Sequence, residues 1–106
     1  MKFIVTKSYF PQVKQLGETF KINLRGEIVR AGIDPASGAP AIWTAYVPTS
    51  AQEELVERVF VVLTDDMVFE DKEASSVAHR GMWWEADTTF HLVEIFVWAP
   101  PGDNET

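Results

Sequence analysis

The run FHLVEIFVW, residues 90–98, sets one carboxylate, Glu94, and one imidazole, His91, among seven apolar residues. An ionised carboxylate in such surroundings must be paired, or its pKa rises until it is neutral. Glu94 is therefore an acid–base group in a pocket or one half of an ion pair. His91 and Glu94 would converge on a helix, where positions three apart share a face, but they point to opposite sides of a strand. That parity removes the pair as metal ligands. His79 could meet His91 across a hairpin if both lie on one face, yet two ligands are too few for a metal site. No metal and no cofactor is expected. The preceding run VAHRGMWWEAD offers partners for the acid. A two-residue turn at Ala86–Asp87 pairs Glu85 with Thr88 and sets His79 opposite Glu94. A three-residue turn sets Arg80 there instead. A sheet-stabilising ion pair, Glu94 with Arg80, is the reading adopted, because cross-strand opposite charges are common sheet partners.

Two further groups of residues carry chemistry. The segment EELVERVFVVLTDDMVFEDKE holds Glu53, Glu54, Glu57, Asp65, Asp66, Glu70, Asp71 and Glu73 against Arg58 and Lys72. It lacks the glycine and terminal glutamate spacing of a calcium loop, and reads as a surface for a basic partner. The second group is cationic: Lys21, Arg25 and Arg30 could take phosphates while an exposed Trp84 stacks a base, a nucleotide-binding alternative. Trp83 and Trp84 point to opposite faces of their strand, and packing of both into a doubly covered sheet is the simpler expectation. No GxSxG, HExxH, P-loop or GxGxxG motif occurs, and there is no Cys. The chain is expected not to be an enzyme.

The elements that position these residues follow from alternation. Phe3 and Val5 alternate with Lys2, Ile4 and Thr6 in a first strand. Phe20, Ile22 and Leu24 alternate with Lys21, Asn23 and Arg25. EIVRAGI and AIWTAYV flank DPASGAP, whose Asp-Pro and Gly supply turn chemistry, so residues 27–47 form a hairpin. TSAQEELVE, with Ser50 and Glu53 as a capping box, predicts a short helix. ERVFVVL is a fifth strand, and VAHRGMWWEAD with TTFHLVEIFVW a second hairpin whose last strand is central. Phe69 and Met67 are the anchors expected in the polar stretch between them. The result is a mainly β fold, an antiparallel sheet or sandwich of about seven strands with one short helix. Residues 1–99 form one domain, and 100–106 a mobile tail.

The 106 residues carry nine basic and sixteen acidic groups, a net charge of −7. Residues 1–50 balance to +3 and residues 51–106 to −10. The acidic half argues against direct nucleic-acid binding, which needs phosphate neutralisation by Lys and Arg, and favours a basic protein partner. No stretch approaches the ~20 apolar residues that span a bilayer, and the first ten residues are too short in apolar content for an export signal. No membrane association is expected, and the cytoplasm is the expected location.

GAPAIWTAYV, ERVFVVLT and AHRGMWWEADTTFHLVEI together resemble a small family of proteins encoded by bacteriophages and prophages. The resemblance runs over residues 17–96 and is carried by Gly38, Pro40, Trp43, Arg58, Phe60, Gly81, Phe90, His91 and Glu94. The chain departs from it by an insertion near residues 65–76 and by His79 in place of an aromatic. The resemblance implies a phage setting and brings no catalytic residues with it. The expected role is thus a small acidic phage accessory protein that inhibits a host anti-phage defence complex, with residues 53–73 mimicking phosphates. A nucleotide sponge is one alternative. The other is a structural or assembly role in a virion, with homo-oligomerisation through an exposed β-edge.

Overall fold

The computed structural model describes residues 2–11, 15–48 and 54–97. Seven strands occupy them: β1 (Ile4–Tyr9), β2 (Thr19–Leu24), β3 (Glu27–Ile33), β4 (Pro40–Tyr46), β5 (Val56–Thr64), β6 (Ser76–Glu85) and β7 (Thr88–Phe96). They form two antiparallel sheets, one of three strands in the order β1-β4-β3 and one of four in the order β2-β5-β7-β6. The fold is mainly β, as the alternation predicts. The expected helix fares differently. Its residues 49–53, with Ser50 and Glu53, lie outside the described residues, while Glu54 and Leu55 are not helical and Val56 already opens β5. The β-branched run that follows (Val59, Val61, Val62) favours strand over helix.

The core lies between the sheets. Phe20 and Leu24 of β2, Phe60 and Val62 of β5, Leu92 of β7 and Trp83 of β6 face Ala31 of β3 and Ile42 of β4, with Phe10 closing one side. Aromatic rings run through it: Phe10 lies 5.5 Å from Phe20 and 5.7 Å from Trp83, and Trp83 stacks on Phe90 at 5.8 Å. Val61 and Ile95 point away from this core yet are also buried. β5 and β7 are interior strands, and such strands read as near-continuous apolar runs.

β5 and β6 both pair antiparallel with β7, so they run parallel to one another. The connection from Thr64 to Ser76 must therefore cross β7. Its first residue, Asp65, bonds His91 on the outer face, which places the start of the crossing on the side away from the core.

The β6–β7 hairpin turns at Ala86–Asp87, with Glu85 opposite Thr88. The register predicted from that turn holds as far as Gly81, which pairs with Leu92. There a β-bulge intervenes: His79 pairs with Val93 and Ala78, not His79, with Glu94. Arg80 is the extra residue. The bulge sits where the two sheets meet, since Gly81 abuts Ala31 of β3. A bulge bends and twists its strand, and a glycine at that point lets the backbones approach. Trp83 is core, whereas Trp84 is 64% exposed. The expectation that both rings pack fails because β6 is an edge strand with one covered face.

A Cβ on Gly81 would fall inside van der Waals distance of the Ala31 carbonyl oxygen and 2.9 Å from the Ala31 Cβ. Gly38 has left-handed backbone (φ +75°) but open space around it. Urea denaturation of Gly81→Ala should show a loss of about 3 kcal/mol, the upper range for overpacking. Gly38→Ala should lose only about 1 kcal/mol, the strain of a left-handed residue.

Candidate functional site

Strand parity turns Arg58 of β5 and Glu94 of β7 to the inner face alongside Phe60 and Leu92. Arg58 stands on the same side of β5 as Phe60, which pairs directly with Glu94. The Arg58 guanidinium grips the carboxylate with two donors: Nε donates to Oε2 and Nη2 to Oε1, both at 2.6 Å. Arg80, pushed out of register by the bulge, reaches Oε1 from the other side, with Nε at 2.9 Å and Nη2 at 2.8 Å. Arg58 Nη1 also donates to the carbonyl of Gly26, 3.2 Å away, in the β2–β3 turn. The Glu94 side chain is 2% exposed, those of Arg58 and Arg80 17% and 29%. Burial acting alone would raise the Glu94 carboxyl; the hydrogen bonds from Arg58 and Arg80 outweigh it and hold the group below the usual glutamate value.

Sequence reasoning named Arg80 for Glu94 by way of a three-residue turn, whereas the structure keeps the two-residue turn and brings Arg80 in through the bulge; Arg58 was missed. The available signal was a cation on the inward parity of β5, between Val56 and Phe60. Reading it required the pairing of β5 with β7, which local spacing does not contain.

A second buried carboxylate, Asp34, follows β3. It accepts hydrogen bonds from Lys7 Nζ and Tyr9 Oη, both at 2.7 Å, from Ser37 Oγ at 3.0 Å and from the Ala36 amide at 3.1 Å. The Lys7 bond, then Tyr9, then the Ala36 amide hold its carboxyl far below the ordinary aspartate range. Lys7 is raised in return, first by its bond to Asp34. The cluster ties β1 to the β3–β4 turn, where Gly38 N donates to the Asp34 carbonyl at 2.7 Å.

The outer face of the four-stranded sheet carries a relay. His91 Nε2 lies 2.6 Å from Asp65 Oδ1, and His91 Nδ1 lies 2.9 Å from His79 Nε2. A carboxylate only accepts, so neutral rings satisfy both bonds in one arrangement: His79 Nε2–H donates to His91 Nδ1, and His91 Nε2–H donates to Asp65. The relay fastens the crossing connection to β7. Among the described residues, no group of three or more His, Asp or Glu side chains is placed so that it could hold a metal ion.

The acidic segment is divided by the fold. Glu53 lies outside the described residues. Glu54 and Glu57 lie at the start of β5 and Asp65 just past its end, roughly 26 Å along the strand from Glu57 at ~3.3 Å per residue. Glu57 lies 3.5 Å from Lys21, both well exposed. Asp65, Asp66, Glu70, Asp71 and Glu73 remain together on the crossing connection. The cations chosen for a nucleotide are likewise dispersed. Lys21 is on β2 and Trp84 on β6, at opposite edges of the four-stranded sheet, while Arg25 lies between β2 and β3. Arg30 is in the other sheet, its guanidinium 5.5 Å from the Trp43 ring. Those four residues do not form one site.

No family model, curated protein or solved structure matches the chain.

Both buried carboxylates have depressed pKa values, so each contributes stability that is present above its unfolded pKa and lost as pH falls through the folded value. The urea midpoint should be flat near neutrality and drop below about pH 4, where an unfolded carboxylate takes up its proton. Asp34→Asn should flatten that acid slope. Glu94→Ala leaves two guanidiniums facing each other and should cost about 3 kcal/mol, the low end for a broken buried pair because both arginines reach solvent. Arg80→Met, which leaves the Arg58 pair intact, should cost less.

Proposed function

We propose that this chain acts by binding, as a small acidic phage accessory protein whose crossing connection docks on the basic, phosphate-binding surface of a host defence protein. The observation that carries the reading is the tip of that connection. Val68 is 88% exposed, and Met67 beside it is exposed too. Asp65 and Asp66 precede them, and Glu70 and Asp71 follow shortly after. An apolar tip ringed by carboxylates has the make-up of an interface patch, with a water-excluding centre and a charged rim. Among the described residues, Asp66, Glu70 and Glu73 have no cationic partner, so their charge is available to Lys and Arg of another protein.

Local structure presents this tip. Asp66 takes left-handed backbone (φ 67°) in the turn after β5, and Met67 N donates to the Thr64 carbonyl at 3.3 Å. The Asp65–His91 bond holds the start of the connection, and Ser75 N, donating to the Phe96 carbonyl at 2.8 Å, holds its end. Asp71 Oδ1 accepts from the Glu73 amide at 2.9 Å, which shapes the second turn. A loop fixed at both ends loses less conformational freedom on docking than a free one. The phage setting itself rests on the sequence resemblance alone.

Exposed charge pairs are screened within about 10 Å at 0.1 M salt, so association should weaken steeply with ionic strength. The test is affinity capture from host lysate at low and high salt, with wild type beside a variant carrying Asp66→Lys, Glu70→Lys and Glu73→Lys. The expected result is a captured protein with a basic surface that salt elutes and the variant fails to retain. Capture of the same protein by the charge-reversed variant would sink the reading. Val68→Asp should also weaken capture about tenfold or more, the loss of a central apolar anchor.

A further inference from the structure

β5 and β7 pair from Thr64–Phe90 only as far as Val59–Ile95. Beyond that point β5 runs on to Val56 along β2, and β7 runs on to Phe96 along β6. The two interior strands of the sheet therefore splay, and a cleft of about 390 Å³ opens between their ends. Arg58 and Glu94 line it, with Val56, Val59, Phe96 and Val97 as apolar walls. Glu57 stands at the rim beside Lys21.

The Glu94 cluster behind the cleft does not balance in charge, while Glu57, which also lines the cleft, is paired with Lys21 at 3.5 Å. Two guanidiniums share one carboxylate, so the cluster holds one uncompensated positive charge in a molecule whose net charge is −7. Donors are left over as well. Nη1 of Arg58 uses one N–H on Gly26 and Nη2 uses one on Glu94. Each terminal nitrogen carries two N–H groups, so each keeps one, the number that a bidentate oxyanion takes. Arg80 makes this possible. Its own bonds to Oε1 compensate Glu94, and Arg58 retains positive charge for a second anion. A half-buried cation is the kind of group for which a paired anion is worth most.

We infer that the cleft between the splayed ends of β5 and β7 is a binding site for a small organic oxyanion with an apolar body. The head group pairs with the spare N–H groups of Arg58, and the body lies against Val56, Phe96 and Val97. Carboxylates and phosphate monoesters share this chemistry. The site shares Phe96 with the anchor of the acidic connection, but none of the carboxylates of that connection line it, and the two ideas stand or fall independently.

Calorimetric titration of the intact chain tests it with acetate, hexanoate, benzoate, phenyl phosphate and inorganic phosphate, each to about 10 mM, the range where weak complexes with millimolar dissociation constants register. Hexanoate or benzoate should bind at least about tenfold more tightly than acetate, because the added apolar surface leaves water. Phenyl phosphate against benzoate decides which head group is preferred, and inorganic phosphate reports the head group without a body. Two variants locate the site. Val97→Glu, at an exposed position on the cleft wall, should fold normally and bind no anion. Arg80→Met should lower affinity about tenfold or more, since Glu94 then neutralises Arg58. The inference is overturned if none of the five anions binds. It is equally overturned if Val97→Glu binds as wild type does, or if acetate and hexanoate bind alike.

Discussion

One charged group in the core organises the four-stranded sheet. Glu94 sits on β7, accepts two hydrogen bonds from Arg58 on β5 and one from Arg80 on β6, whose Nη2 also lies 2.8 Å from Oε1, and so ties three adjacent strands through side chains as well as backbone. Arg58 extends the network to the Gly26 carbonyl in the turn that leads into the other sheet. Desolvating charges is costly, and a buried pair recovers the cost only when its remaining donors and acceptors are met. Here every buried side-chain nitrogen or oxygen among the described residues has at least one hydrogen-bond partner, and the spare N–H groups are those of the partly exposed Arg58. Such a network discriminates against slipped registers. Moving β7 by one residue would turn Glu94 outward and bring an apolar neighbour against both arginines.

The same constraint accounts for the bulge at Arg80. A regular hairpin closing on Glu85 and Thr88 would set His79 opposite Glu94. One extra residue instead sends the His79 ring to the outer face, where it meets His91, and leaves Arg80 free to reach inward. The shift also brings Gly81 against Ala31, so the joint between the sheets and the orientation of the second arginine come from one local irregularity. Sheet-edge bulges commonly redirect a side chain in this way.

Much of this was legible in the sequence and some was not, for identifiable reasons. Alternation of Phe20, Ile22 and Leu24 marks β2. DPASGAP marks the β3–β4 turn, and the doubly apolar run around Glu94 marks an interior strand. These signals are local. The order β2-β5-β7-β6 depends on pairings between residues more than thirty positions apart, such as Phe60 with Glu94, and no spacing rule encodes them. Arg58 escaped for that reason. Asp34 escaped because Asp before Pro is already accounted for by turn formation, so its second task, binding Lys7 and Tyr9, leaves no further trace. The acidic segment looked continuous because eight carboxylates are close in sequence, but a strand extends them: what is clustered along the chain is spread over roughly 26 Å in space.

Topology also explains why the crossing connection is longer than the path it covers. The chain must travel from the level of Phe90, opposite Thr64, to the level of Phe96, opposite Ser76. That distance is six strand steps, roughly 20 Å, which about six extended residues would span. Eleven residues, 65–75, make the journey. The surplus forms two turns and lifts Val68 into solvent while Phe69 stays half-buried. Such a surplus is not needed to close the sheet, and loops anchored at both ends on a rigid scaffold are where recognition residues collect. The cleft lies at the other end of the same strands, where β5 and β7 have parted. The two regions meet at Phe96, whose carbonyl anchors Ser75 at the end of the connection and whose ring helps wall the cleft, whereas the apolar tip at Val68 lies near the opposite end of β5 and β7.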